Sequence, residues 1–394
     1  MKKIMALVVL LLTTSIYKTY AQDDNENSRV ITTAVPFLLI AADARAAGLG
    51  DQGVATSADA YAQQWNPSKY AFSKKQFGVG INYTPYLSNL VNDIFLGNLT
   101  GYYRINERSS LSASLRYFSL GEIELRQNPN DSPLFEQPNE LTFDVAYALR
   151  LSDRFSMAVT GRYLRSDLRI SSTNTDVTAG SSFAVDVSGY YQSELIPYNS
   201  FDGRWRGGFN ISNVGPKLSY SDGGREDFLP TNLRAGGGFD FGLDEYNTIS
   251  TTLEFSKLLV PTPIEPSDSN NDGVISQAEQ TQALDDYQDI NEFGAIFSSF
   301  GDAPDGFSEE LREFTWALGA EYMYQDIFAI RAGYFNESND KGARKFLSLG
   351  AGFKYTTVNI DISYLFSTSR VRSPLEGTLR FGVSFNFGED YDEY

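Results

Sequence analysis

Between residues 75 and 388, apolar and polar side chains alternate in one stretch after another. In TLRFGVSFNF, Leu379, Phe381, Val383, Phe385 and Phe387 share one face and Arg380, Gly382, Ser384 and Asn386 the other. A period of two marks a β-strand, whose successive side chains point to opposite sides. LTFDVAYALR repeats the pattern with Phe143, Val145, Tyr147 and Leu149 opposite Thr142, Asp144, Ala146 and Arg150. VNIDISYLF repeats it with Ile360, Ile362, Tyr364 and Phe366 opposite Asn359, Asp361 and Ser363. Such segments fall near 75–86, 91–105, 109–121, 139–151, 154–168, 180–193, 204–215, 229–243, 246–260, 312–325, 327–337, 342–354, 356–368 and 376–388, about fourteen in all. Many exceed the ~5–6 residues usual in soluble sheets and match the ~9–11 residues with which a tilted strand crosses a bilayer.

Alternation alone permits two architectures. In a soluble sandwich the apolar faces pack on a second sheet and Arg116, Asp144, Arg162, Asp186 and Asp361 meet water. In a closed barrel the apolar faces meet lipid and the same charged residues line a lumen. Strand length, an even strand count and tyrosines near strand ends, such as Tyr83, Tyr102, Tyr163 and Tyr322, favour the barrel. The expected fold is therefore all-β, a transmembrane outer-membrane β-barrel of about 14 antiparallel strands spanning 75–388. The acidic tail EDYDEY, 389–394, reads as a solvated end or as a contact for a partner.

The first residues support export. Lys2 and Lys3 precede an apolar run from Ile4 to Leu12, and Thr19 and Ala21 suit cleavage before Gln22, so 1–21 reads as a signal peptide. The run is about half the ~20 apolar residues of a membrane anchor. There is no cysteine to carry a lipid or a disulfide, and no histidine, which removes Ser-His and Cys-His catalysis and histidine-bound zinc. A formal charge of −18 argues against nucleic acid or anionic lipid as a partner through a basic face.

Residues 22–74 break the alternation, and AVPFLLIAA is too short to span. DARAAGLGDQGVATSADAYAQQWNPSKYAF, from Asp43, mixes small residues with charges. A fourteen-strand barrel is too wide for its own side chains to fill, so this segment reads as a luminal plug. Alanine and glycine let it approach the wall, and Asp43, Arg45, Asp51 and Asp59 can pair with lumen groups. Arg116 and Arg331 are expected to pair with plug carboxylates, and AGGGFDFG, 235–242, to be a strand where the wall bends or the plug packs close.

NPS at Asn66–Ser68, just before the first strand, resembles the Asn-Pro segment of FadL-type outer-membrane transporters. More closely, FLLIAADARAAGLGDQGVATSADAYAQQWNPSKYAF, with FTWALGAEYMY and FLSLGAGFKY downstream, resembles the PorV family, outer-membrane barrels of the type IX secretion system. That resemblance implies a non-enzymatic role. Such barrels associate with an SprA-type translocon barrel, take up secreted cargo through its C-terminal signal domain, and deliver it to a surface attachment complex with a PorU-type sortase. Two rivals remain open: a FadL-like importer of hydrophobic small molecules, with PFLLIAA lining a pocket beside the plug and a side opening in the wall, and a calcium-dependent surface adhesin.

The longest interruption, 261–311, contains DSNNDGVISQAE. Asp268, Asn270, Asp272, Gly273 and Glu279 fill the D-x-[DN]-x-[DN]-G-x5-E pattern, with Val274 offering a carbonyl and Ser276 a further ligand. Spaced oxygens wrap one Ca2+, glycine permits the turn, and the distal glutamate closes the site, so a structural calcium loop is expected; the alternative is a solvated turn. Phe293, Ile296, Phe297 and Phe300 are unusually apolar for a loop and form either a partner-docking face or a cover for the barrel mouth. The acidic pairs Asp285/Asp286 and Glu309/Glu310 read as solvated loop charges rather than acid-base catalysts. Insertions at 122–139 and 216–228 are further candidates for extracellular function, because periplasmic turns in such barrels are short.

Overall fold

The computed structural model describes residues 29–391 except 89, 127–131, 170–177, 222–223 and 370–372. The expected signal peptide, 1–21, and residues 392–394 of the acidic tail lie outside the described residues. Fourteen long strands form the wall: β1 (Lys75–Pro85), β2 (Ile94–Arg104), β3 (Ser109–Leu120), β4 (Asn139–Ser152), β5 (Phe155–Asp167), β6 (Gly180–Gln192) and β7 (Asp202–Val214), then β8 (Asn232–Gly242), β9 (Asn247–Leu258), β10 (Thr315–Tyr324), β11 (Phe328–Asn336), β12 (Lys345–Tyr355), β13 (Val358–Ser367) and β14 (Leu379–Asp390). Each pairs antiparallel with its sequence neighbours, and β1 pairs with β14 through Phe77↔Phe387 to Tyr83↔Phe381, closing the ring. Closure removes the free edges that lipid could not hydrogen-bond.

Burial decides between barrel and sandwich, because the sheet is inside out. Phe143, Ile360 and Phe381 are 49%, 45% and 47% exposed, whereas the intervening Asp144 and Arg380 are 0% and 1% exposed. A sandwich would bury the apolar set; here it forms the outer surface, as a hydrocarbon solvent requires. Strands run from 9 residues in β11 to 14 in β4, enough to cross a bilayer at a tilt.

One end carries short turns, among them 153–154, 243–246, 325–327 and 356–357. In the turn between β10 and β11, Gln325 and Asp326 both take positive φ, 54° and 55°, a left-handed conformation whose twist suits a tight hairpin. Tyr391 N–H donates to the Lys74 carbonyl at 2.9 Å at this end, so the start of β1 and the close of β14 lie together. The other end carries the long connections 121–138, 215–231 and 259–314 and is, by the length rule, extracellular. Glu389 and Asp390 correct the expected boundary of the tail: they continue β14, and Asp390 pairs with Lys75 at 2.7 Å.

Residues 34–73 fill the lumen. They fold as two short 3-10 turns, Pro36–Leu39 and Pro67–Phe72, and two short helices, α1 (Ala44–Gly48) and α2 (Ala62–Trp65). Asp43 caps α1 by accepting from Ala46 N–H at 2.7 Å and also accepts from Trp65 Nε1 at 2.7 Å, joining the two helices. The plug enters at the extracellular end, where Phe37 stacks on Phe118 at 5.8 Å, and leaves at the short-turn end into β1.

Candidate functional site

The lumen is closed by direct bonds between plug and wall. Arg45 of α1 forks onto Glu321 of β10, Nη2 to Oε1 at 3.0 Å and Nε to Oε2 at 3.2 Å, and also reaches Asp59 of the plug at 2.5 Å. Glu321 is shared with Arg331 of β11 at 2.5 Å, and Arg331 reaches Asp361 of β13 at 2.6 Å. Across the lumen Glu254 of β9 accepts the Gly53 and Val54 N–H groups, both at 2.8 Å, and Arg380 of β14 holds Asp51 at 2.8 Å. Lys69 is buried inside the plug on the Gly53 carbonyl at 2.8 Å. Asn66 donates to Val54 and Gly189 carbonyls at 2.9 Å each, and Asn210 of the wall donates to the Trp65 carbonyl at 2.9 Å. Each of these charged side chains has a polar partner, the condition under which buried ions are tolerated.

Two expectations are corrected. Arg331 pairs with wall carboxylates, and Arg116 donates to the Leu38 carbonyl at 3.4 Å with its guanidinium over Phe37; neither meets a plug carboxylate. Of the plug's acids, Asp59 is taken by Arg45 and Asp51 by Arg380, while Asp43 is held within the plug by Ala46 N–H and Trp65 Nε1. The glycine-rich β8 does lie where the plug packs close: a Cβ on Gly236 would stand 3.1 Å from Val54.

Above the plug sits an extracellular crown. The connection 259–314 folds into a lobe with three helices, α3 (Gln277–Gln288), α4 (Glu292–Ser298) and α5 (Phe307–Arg312). Arg29 ties the start of the plug strap to it through Glu265, Asp305 and Glu309 at 2.5, 3.2 and 2.8 Å. Lys341 joins Glu309 and Glu313 at 2.7 and 2.9 Å, and Lys257 joins Glu310 at 3.2 Å and also Glu313. Phe228, Val260, Tyr287 and Ala295 form the lobe's apolar seat. Between strap and wall lies a cavity of about 410 Å³ lined by Pro36, Leu39, Trp316 and Phe335 but also by Arg234, Glu254, Lys341 and Arg344.

The calcium-pattern residues occupy one exposed turn leading into α3. Asn271 and Gly273 take left-handed φ of 55° and 84°, which curls the turn. Asp268 accepts from Asp272 and Gly273 N–H at 3.1 and 2.7 Å, Asn270 from Asp272 N–H at 2.9 Å, and Asp272 from Val274 N–H at 2.8 Å. Glu279 is spent on both oxygens: Oε1 accepts from Ser269 N–H and Oγ, both at 2.7 Å, and Oε2 from Ser276 N–H and Oγ, both at 2.9 Å. Ser276 N-caps α3 in a capping box with Glu279. The Ser276 backbone N–H, then the Ser269 hydroxyl, hold the Glu279 carboxyl down to about 2. Among the described residues no three carboxylates converge as a metal cluster.

Phe293, Phe297 and Phe300 stand out from the lobe, exposed by 71%, 78% and 48%, while Ile296 is half-buried at the foot of α4. Burial pushes the Asp302 carboxyl up, against hydrogen bonds from the Thr262 N–H and hydroxyl. Glu309 goes the other way: burial alone would raise it, but Lys341, the Asp305 N–H and Arg29 bring it to about 2.

Sequence reading missed Arg29, Glu254, Lys257, Glu321, Lys341 and Arg380 as determinants. Glu254, Glu321 and Arg380 sit on polar faces that the period of two already marked; Lys257 has the parity of the outward Leu253 and Phe255 and is buried only because the alternation breaks at the end of β9, and Arg29 and Lys341 lie in irregular segments with no local signal.

Fold and plug define the class: an outer-membrane β-barrel with a stoppered lumen. The chain is similar to a deltaS2 mutant of the TodX monoaromatic hydrocarbon channel, with TM-score 0.51 and 12% identity over 89% of this chain and 100% of that one. It is similar to the CymD monoaromatic hydrocarbon channel at TM-score 0.50 and 12% identity, over 90% and 99%. At such identity the likeness shows the fold alone. Among curated proteins none matches the sequence. The family model for type IX secretion system protein PorV matches residues 22–265, more than half of the chain. The chain belongs to the PorV family and is an integral outer-membrane component of type IX secretion.

Proposed function

We propose that this barrel is a non-catalytic carrier subunit: it receives secreted cargo through the cargo's C-terminal signal domain on its extracellular crown, beside an SprA-type translocon barrel, and hands it to a PorU-type sortase complex. Family membership supports the pathway. One observation carries the division of labour: plug and wall are joined by Arg45–Glu321, Asp51–Arg380 and Gly53–Glu254, which leaves no passage for a protein through this lumen. Export must then run through another barrel, and the crown is the surface left for cargo. The test is affinity purification from native membranes in mild detergent with calcium present, together with deletion of the chain. Co-purification of a very large barrel and of exported proteins sharing a C-terminal β-domain, with cargo stranded in the periplasm on deletion, supports the reading; recovery of neither, with normal export, removes it.

Calcium fits this picture as a stiffener of the lobe. Asp268, Asn270, Asp272, the Val274 carbonyl, Ser276 and Glu279 would hold it, Glu279 by releasing its serine donors.

The importer reading keeps one supporting observation, the 410 Å³ cavity that Pro36 and Leu39 help to line. Against it, strand pairing runs around the whole ring. Among the described residues the one register break away from the short-turn end, between Ile211 and Val214, is filled by Asn213, which receives Arg162 and donates to the Pro230 carbonyl at 2.9 Å.

A further inference from the structure

The outward face of the lobe is not used by its own packing. α4 turns Ala295 inward to Phe228, Val260 and Tyr287, and turns Phe293 and Phe297, one helical turn apart, to solvent. Phe307 of α5 adds a further ring exposed by 76%. At the foot of this face Val214, Pro216, Leu229, Leu259, Phe293 and Ile296 line an apolar crevice of about 160 Å³, room for one large aliphatic or aromatic side chain. Its walls are held in place: Lys217 Nζ donates to the Ile290 carbonyl at 2.7 Å, Lys217 N–H to Glu292 at 3.3 Å, and the Tyr287 hydroxyl to the Pro261 carbonyl at 3.1 Å. A preformed crevice flanked by exposed aromatics is the arrangement of an interface hot spot.

Charge identifies the occupant. From Pro261 to Phe314 the lobe carries thirteen carboxylate side chains and one basic one, Arg312. The five carboxylates of Glu265, Asp305, Glu309, Glu310 and Glu313 share the three cations of Arg29, Lys257 and Lys341. Asp285, Asp286, Asp289 and Glu292, on or beside α3 and α4, form no ion pair among the described residues; the nearby Lys217 ammonium is spent on the Gln288 and Ile290 carbonyls, one cation beside four carboxylates. This field repels an anionic lipid surface, and it repels a second copy of the chain, which bears the same crown.

We propose that the face docks a basic protein segment that inserts one apolar side chain into the Ile296 crevice while lysines or arginines on either side meet Asp286, Asp289 and Glu292. The inference rests on the carrier reading in taking that segment from a protein of the secretion pathway. Aromatic anchoring supplies affinity, and the carboxylates supply steering and selection against acidic surfaces.

The test places the photo-reactive p-benzoylphenylalanine at position 293 of the full chain in its native outer membrane, then sequences the cross-linked peptide. The expected product is a peptide of net positive charge, joined beside an apolar residue. Its yield falls several-fold between about 50 and about 500 mM salt, where surface charge is screened. It falls about tenfold with Ile296→Trp, which fills the crevice, and with Asp286→Lys and Asp289→Lys together. A lipid adduct, a second copy of the chain, an acidic or neutral peptide, or no adduct while the same probe at lipid-facing position 360 reacts, overturns the proposal. A basic peptide from a protein that export does not need keeps the docking face and removes the carrier reading. Stranded cargo on deletion, with no basic adduct, does the reverse.

Discussion

Arg45 and Glu321, 276 residues apart in the chain, meet as a two-pronged ion pair at 3.0 and 3.2 Å in the middle of the lumen. The pair fastens plug to wall, and Glu321 also anchors Arg331. Glu321→Ala therefore removes the carboxylate that two buried guanidinium groups share, leaving Arg45 to Asp59 and Arg331 to Asp361. It is expected to destabilise the barrel by about 1.5–3 kcal/mol, the worth of a hydrogen bond to a charged group, as plug and wall lose their shared carboxylate. Heat-dependent gel mobility of the folded barrel measures the loss. In planar bilayers the parent chain is expected to stay closed and the variant to show ion conductance as the plug loosens; a silent variant of unchanged stability would contradict the stopper.

Close packing offers an independent check on the plug. A Cβ at Gly333 of β11 would lie 2.0 Å from the Leu49 carbonyl carbon, so backbone would have to move. Gly333→Ala is expected to cost about 1–3 kcal/mol by overpacking. Gly161→Ala, with nothing within 4 Å of the added carbon, should be neutral to about 0.5 kcal/mol in the same gel assay. Equal effects at the two positions would mean that the plug does not seat as described.

Acid should loosen the lobe before the barrel. The Glu309 carboxyl is held at about 2 in the folded chain, below its unfolded value of about 4.3. A depressed carboxylate stabilises fully above the unfolded value, and that contribution fades as pH falls toward the folded one. Hydrogen exchange in 302–313, corrected for intrinsic rates, is therefore expected to be flat from pH 7 to 5 and to accelerate below about pH 4. Glu309→Gln should exchange fast already at pH 7, because Arg29 and Lys341 each lose a partner.

Calcium is predicted to bind at 268–279 with Kd of about 10⁻⁴–10⁻³ M, the range of extracellular modules. Calorimetric titration of the purified barrel measures it, and Asp268→Ala or Glu279→Ala should abolish the heat. Chelation should lower hydrogen exchange at Ser269 and Ser276, whose N–H groups the metal-free Glu279 holds and the calcium-bound one releases. Identical exchange with and without calcium would leave the turn a solvated one.

Much of the architecture is legible in the chain because a period of two is local. Phe381 against Arg380, or Phe143 against Asp144, separates the two faces of a strand with no knowledge of any other strand, and each of the fourteen predicted segments contains or overlaps a wall strand. Even the plug is visible as the one stretch too small and too mixed to join the wall. What the alternation leaves open is which side faces in; that needed closure, because an apolar face is buried in a sandwich and exposed in a barrel.

Partner choice is a different matter. Whether Arg331 meets a plug acid or Glu321 and Asp361 depends on register across the four strands β10 to β13 and on where α1 comes to rest. Arg29 finds Glu265, Asp305 and Glu309 only because the strap enters at the loop-bearing end, and the Ile296 crevice exists only where β7, its following loop and α4 converge. Such contacts join residues up to hundreds of positions apart. Their energies depend on burial and distance, quantities that local order along the chain does not carry, so only the folded barrel decides them.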